Sequence, residues 1–181
     1  MSDFPAITAL LFGLRNCLVD AGTGPEHPHP APGALQTLDW LHQQQVPCAW
    51  IDELSATDAE HLAGPLPAWL NAHRVSTPWP APDACWQALM GLKTGKLEGC
   101  VLVSGEPRLL QSGLNAGLWT IGLASCAPLC ATDSPQEQEH KRAKATLQLF
   151  ALGVHSVIDH LEALNDCLAD IAQRRLKGEK P

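Results

Sequence analysis

Short apolar runs alternate with segments of helical periodicity along nearly the whole chain, and this alternation constrains the fold more than any other feature. The runs at 7–12, 46–51, 100–103, 119–123 and 154–158 read as strands, with a weaker one near 74–76. Helical patterns fall between them at 33–44, 82–92, 107–115, 136–152 and 161–176. Leu35, Leu38 and Leu41 should share the inward face of the first helix, and Leu161, Leu164, Leu168 and Ile171 that of the last. This alternation of strand and helix predicts a doubly wound parallel sheet with crossover helices.

A chain of 181 residues supports one core, with no repeat or linker to divide it, so a single domain over 1–181 is expected. Hydrophobic residues at 45% and charged residues at 17% suit a globular protein. A net charge of −7 gives no electrostatic reason to expect nucleic acid or an anionic membrane as partner. The basic stretch 174–180 is explained by a helix end favoured by the dipole. No targeting signal is visible at the N-terminus and no apolar run reaches the length of a membrane span. The seven scattered cysteines read as reduced, mostly buried thiols, and a cytoplasmic location is expected.

Residues 21–32 carry four prolines and two glycines and are expected to be a loop without regular structure; Trp79-Pro80-Ala81-Pro82 is a second stiff turn. In a doubly wound sheet, ligands bind beyond the carboxyl ends of the strands. Residues 13–17, 51–53 and 104–106 are therefore the rim of any site.

The stretch ITALLFGLRNCLVD, residues 7–20, resembles the opening of the haloacid dehalogenase superfamily, where an apolar strand runs into Phe-Asp-x-Asp-Gly-Thr-Leu-Val-Asp. Within that superfamily the chain is most similar to phosphonoacetaldehyde hydrolase, which cleaves a carbon–phosphorus bond. The similarity is carried by Pro80-Ala81-Pro82 and the helix after it, by Asn115-Ala116-Gly117-Leu118-Trp119-Thr120, and by Gly153-Val154-His155. The resemblance implies the strand order 5-4-1-2-3, with 74–76 third and 154–158 an extra edge strand. No cap domain is expected, because only the 21–32 loop stands where one would be inserted.

The resemblance also implies a set of catalytic positions, and this chain departs from all of them. The nucleophile position is Gly13 and the acid/base position Arg15, with Asn16 and Cys17 in place of Gly-Thr. The hydroxyl position falls on Ile51 or Asp52, and the cationic position before the proline turn is Trp79. The metal-ligand positions fall on Gly105 and Leu109, and a one-residue shift recovers only Glu106. Glycine has no side chain to attack phosphorus. Arg15 would repel magnesium, and should instead pair with Glu106 or Asp52.

Other candidates have plainer readings. Asp20, Asp52, Glu53 and Glu106 could form a rearranged metal site, but acids at helix starts and loops normally satisfy backbone donors. Cys126 and Cys130 lack a second Cys/His pair, and His27 with His29 sits in a solvated loop. The 91–96 stretch GLKTGK misses the phosphate-loop spacing and reads as a helix C-terminus. Ser104, His155 and Asp159 have no spacing that unites them as a triad.

The function expected from these residues is a non-catalytic relative, with a binding or interaction role and no cofactor. The alternative is a hydrolase or phosphatase that uses the rearranged acids with Mg2+. Six tryptophans and an uncapped rim make a second copy, or another protein, the expected partner, with a small ligand unspecified. Core burial of Trp40, Trp50, Trp69, Trp86 and Trp119 is the competing account.

Overall fold

A computed structural model describes residues 7–20, 28–74, 77–126 and 132–181. The chain begins with β1 (Ala9–Gly13), whose residues are all buried. It then forms a short antiparallel pair, β2 (Val19–Asp20) with β3 (His29–Pro30), and enters α1 (Ala34–Gln43). Next come β4 (Cys48–Asp52), α2 (Ala56–Ala63), β5 (Asn71–Arg74) and α3 (Asp83–Gly91). The second half runs β6 (Cys100–Ser104), α4 (Pro107–Asn115), β7 (Trp119–Leu123), α5 (Pro135–Leu152), β8 (Ser156–Ile158) and α6 (Leu164–Leu176).

Six strands form one parallel sheet in the order β5-β4-β1-β6-β7-β8, the order expected with β8 as the extra edge. Central strands covered on both faces are apolar throughout, and successive side chains divide between the faces. Leu10 and Phe12 belong to one core layer with Trp50, Val101, Val103 and Ile121, closed by α1 and α6. Leu11 belongs to the opposite layer with Ile51 and Leu102, closed by α3 and α4. A smaller cluster holds α5: Leu149 is its one buried residue and packs with Leu110, Ala124 and Val154.

Several expectations are corrected. Residues 21–32 are not free of regular structure, since His29–Pro30 pairs with Val19–Asp20. Proline is tolerated there because a two-stranded ribbon leaves one side of each strand unpaired. The weak third strand lies earlier, at Asn71–Arg74, and residues 75–76 fall outside the described residues. Leu35 is 40% exposed while Leu38 and Leu41 are buried, so α1 presents a narrower apolar stripe than expected. The last helix opens with a 3-10 turn at Leu161–Ala163, and its four predicted inward residues are buried. Helix α2 was not expected, although Ser55 caps it by accepting from the Asp58 N–H, the Ser-x-x-Asp pattern of a helix start. Only residues 14–33 separate β1 from α1, and no cap domain is apparent among the described residues.

The tryptophans divide. Trp50, Trp79 and Trp119 are buried, Trp40 and Trp69 pack partly buried against the core, and Trp86 is 40% exposed. No helix among the described residues is long and apolar enough to cross a membrane.

Candidate functional site

Parallel pairing brings the carboxyl ends of β1, β4 and β6 side by side, and with them Gly13, Asp52 and Ser104. The turn after β1 folds back through bonds from the Leu18 and Val19 N–H groups to the Leu14 carbonyl. Asn16, with a left-handed φ of 57°, accepts at its carbonyl from the Gly105 N–H at 3.2 Å. These bonds bring residues 13–17, 51–53 and 104–106 to one rim.

At position 13, where the resemblance places the nucleophile, a side chain would require its neighbours to shift. A Cβ built on Gly13 would lie 2.8 Å from Ser104 Oγ and 3.3 Å from Leu109 Cδ2. Ser104 is itself fully buried, and its hydroxyl accepts from the Glu106 N–H at 3.0 Å. Sequence reasoning marked Gly13 as the loss; the structure shows that Ser104 and Leu109 occupy the adjoining space.

Arg15 pairs with Asp52, one of the two partners expected of it. Its Nε donates to both Asp52 oxygens at 3.1 and 3.0 Å, and its Nη2 to Oδ1 at 2.7 Å. The Asp52 side chain is 1% exposed and that of Arg15 38%. Backbone N–H groups of Arg15 and Leu54 complete the carboxylate's shell. The Asp52 hydrogen bonds raise the Arg15 pKa, against the opposing effect of its partial burial.

The remaining acids are also engaged. Glu53 accepts from the Trp79 N–H at 2.6 Å and pairs with Arg108 at 3.1 Å, while Arg108 also donates to the Trp79 carbonyl at 2.7 Å. Glu106 caps α4 by accepting from the Arg108 N–H. Asp20 lies exposed at the end of β2. Among the described residues, no group of three metal-capable side chains converges. Magnesium requires oxygen donors in near-octahedral array, and a guanidinium against Asp52 does not fit that requirement.

Other expected positions are structural. Cys17 is buried with its thiol directed at the Val103 carbonyl, and Ile51 is buried with its carbonyl accepting from the Leu14 N–H. Trp79 fills the cationic position as a core side chain whose indole N–H is the one buried side-chain polar atom without a partner among the described residues. His155 accepts at Nδ1 from the Thr120 N–H beside the start of β7, whereas Ser104 ends β6, so no triad forms with Asp159. Gly91 ends α3 and Thr94 donates back to the Leu89 carbonyl, a helix terminus and not a phosphate loop. His27 and Cys130 fall outside the described residues; Cys126 ends a 3-10 turn and His29 lies in β3.

A cleft of about 440 Å³ opens on the same rim between the β6–α4 turn and α5. It went unnoticed in the sequence, although Lys141, Lys144, Ala145 and Gln148 stand at helical spacing on one face.

No family model matches the chain. Phosphonoacetaldehyde hydrolase of Salmonella typhi is 28% identical over 167 residues, covering 84% of this chain and 62% of that protein. One solved structure is 55% identical, with a TM-score of 0.90, over 97% of this chain and 100% of its own. A phosphonoacetaldehyde hydrolase-like protein from Oleispira antarctica is 27% identical, with a TM-score of 0.76, over 84% of this chain and 60% of its own. The chain belongs to the haloacid dehalogenase superfamily. Within this superfamily, its similarity is to the phosphonoacetaldehyde hydrolase family, and it spans about 62% of the length of the curated relatives first matched. A superfamily hydrolase from Deinococcus radiodurans, 19% identical at a TM-score of 0.69 over 93% of this chain and 97% of its own, shares the fold.

Proposed function

We propose that this haloacid dehalogenase-fold chain binds a small ligand or partner without performing the aspartyl-transfer chemistry that its family resemblance implies. The observation that carries this reading is the contact between Gly13 and Ser104. An attacking carboxylate at position 13 would need the space that the Ser104 hydroxyl and Leu109 occupy. Arg15 supports it from the other side of the rim by directing its charge into Asp52, where the family chemistry calls for an acid/base and a metal. Loss of hydrolysis with retention of fold leaves binding as the role of the rim.

A second reading is favoured by the relatives themselves, which bear the name phosphonoacetaldehyde hydrolase. In it, Asp52, Glu53 and Glu106 act as rearranged acids with Mg2+. That chemistry first requires an acid to leave its present partner: Arg15 for Asp52, or Arg108 for Glu53.

One assay separates the two. The purified chain is screened with magnesium against phosphonoacetaldehyde and a panel of phosphate monoesters, beside Glu106→Ala and Asp52→Asn variants. Background release in all three preparations is the expected result. A rate that copurifies with the chain and falls in either variant establishes the second reading.

A further inference from the structure

We infer that the cleft between the β6–α4 turn and α5 binds a small organic anion that also carries a hydrogen-bond donor. Asn16, Gly105 and Glu106 of the rim line this cleft but Gly13, Arg15 and Asp52 do not, so it adjoins the nucleophile and acid/base positions without including them. The inference rests on the binding role proposed above and assigns that role a place.

The two walls differ in charge. On the α5 side, Lys141, Lys144 and Gln148 stand one helical turn apart on one face. Lys141 is bridged to Asp133 at 2.6 Å, which fixes one end of this wall. Lys144 adds a second cation within reach of the same space. The opposite wall is Glu106 with Asn16 and Gly105, from the turns after β6 and β1. A carboxylate or phosphoryl group belongs against the lysines; a hydroxyl or ammonium belongs against Glu106.

Between these polar walls the lining is apolar, with Leu149 and Leu123 contributing. Leu149 is also the buried anchor of α5, set so closely on the sheet that a Cβ on Gly122 would meet it at 3.0 Å. Core packing through Leu149 therefore seats on the sheet the helix that bears the lysines. Pockets of this size with an apolar floor and a few convergent polar groups suit small ligands.

The test uses the whole chain labelled with 15N, titrated separately with glycerol 3-phosphate and with 2-hydroxyisocaproate, while amide shifts are followed. Saturable shifts at Asn16, Gly105 and Gln148 at millimolar probe are expected from at least one of them. The probe that binds tells a phosphate source from a carboxylate source. Lys144→Glu should weaken binding about tenfold or more, the effect of losing one charge-assisted bond. Its melting temperature should not change, because Lys144 is exposed. Glu106→Gln should weaken both hydroxylated probes while leaving a plain carboxylate, isobutyrate, unaffected. Shifts with neither probe, shifts confined to other surfaces, or unchanged affinity in Lys144→Glu each overturn the inference and leave the non-catalytic reading intact. Release of inorganic phosphate from bound glycerol 3-phosphate would leave this site standing and overturn the non-catalytic reading.

Discussion

Arg15 clamps Asp52 through three short side-chain contacts across the β1 and β4 ends, placing a guanidinium beside a carboxylate that is 1% exposed. Removing one partner of a fully buried pair costs about 3–5 kcal/mol. Here Arg15 is partly in water, and Asp52 keeps two backbone donors, so Arg15→Ala should cost about 1.5–3 kcal/mol, the range for a hydrogen bond to a charged group. Urea unfolding measures the loss. The Arg15→Ala/Asp52→Asn double variant should recover part of it, because the unpaired charge is then gone. A double variant less stable than the two single losses combined would contradict the clamp.

Gly13→Asp restores the nucleophile in sequence but not in space. With Ser104 Oγ 2.8 Å from the new Cβ, overpacking should destabilise the chain by about 1–3 kcal/mol and produce no phosphatase activity. Ser104→Gly in the same chain should relieve most of that loss. A Gly13→Asp variant as stable as the parent would show that the Ser104 contact yields easily.

Magnesium and a phosphate mimic provide a sensitive test of a surviving catalytic centre. A site saturated at about a hundred times its dissociation constant adds roughly 2.7 kcal/mol to stability. In a domain of this size that raises the melting temperature by roughly 5–10 °C. Melting curves with chelator, with magnesium, and with magnesium plus vanadate should superimpose. A rise that needs both ions together would mean that rim acids leave their present partners to form a metal site.

His155 makes stability depend on pH. Burial, then the neighbouring Arg174, lowers its pKa below the ordinary value of 6.5. Protonating Nδ1 would also cost the bond from the Thr120 N–H. The unfolded chain therefore binds this proton at a higher pH than the folded one. The contribution is fully present above about pH 6.5 and declines as pH falls from there through the lowered folded value. His155→Asn keeps an acceptor for Thr120 but does not titrate. The difference in stability between parent and variant should thus shrink or reverse on acidification. A difference independent of pH from about one unit above the ordinary value to about one and a half units below it would contradict the shift.

The apolar runs and their alternation with helices made the sheet and strand order legible, because strands covered on both faces must be apolar along their length. Weaker signals failed where local pattern and tertiary setting disagreed. Leu35 fits the helical spacing of Leu38 and Leu41, yet α1 buries too narrow a stripe to cover it. Ser55-Ala56-Thr57-Asp58 carried a cap signal for α2, but the helix buries only Ala59, so no apolar periodicity accompanied it. At the rim, the absence of a side chain at position 13 and the charge at position 15 could be read from residue identity alone. Asp52 and Glu106 both remained candidate partners for Arg15 until the strand ends were placed together.

The sequence by itself determined the superfamily resemblance, the order of the six sheet strands and the glycine at position 13, since each follows from residue type and spacing. Only the tertiary structure decided that Ser104 and Leu109 crowd the space at Gly13, that Asp52 receives Arg15, and that Lys144 and Glu106 line one cleft. These relationships join residues far apart in the chain. Their distances follow from the register of parallel strands and the seating of Leu149 on the sheet, which one-dimensional periodicity does not contain.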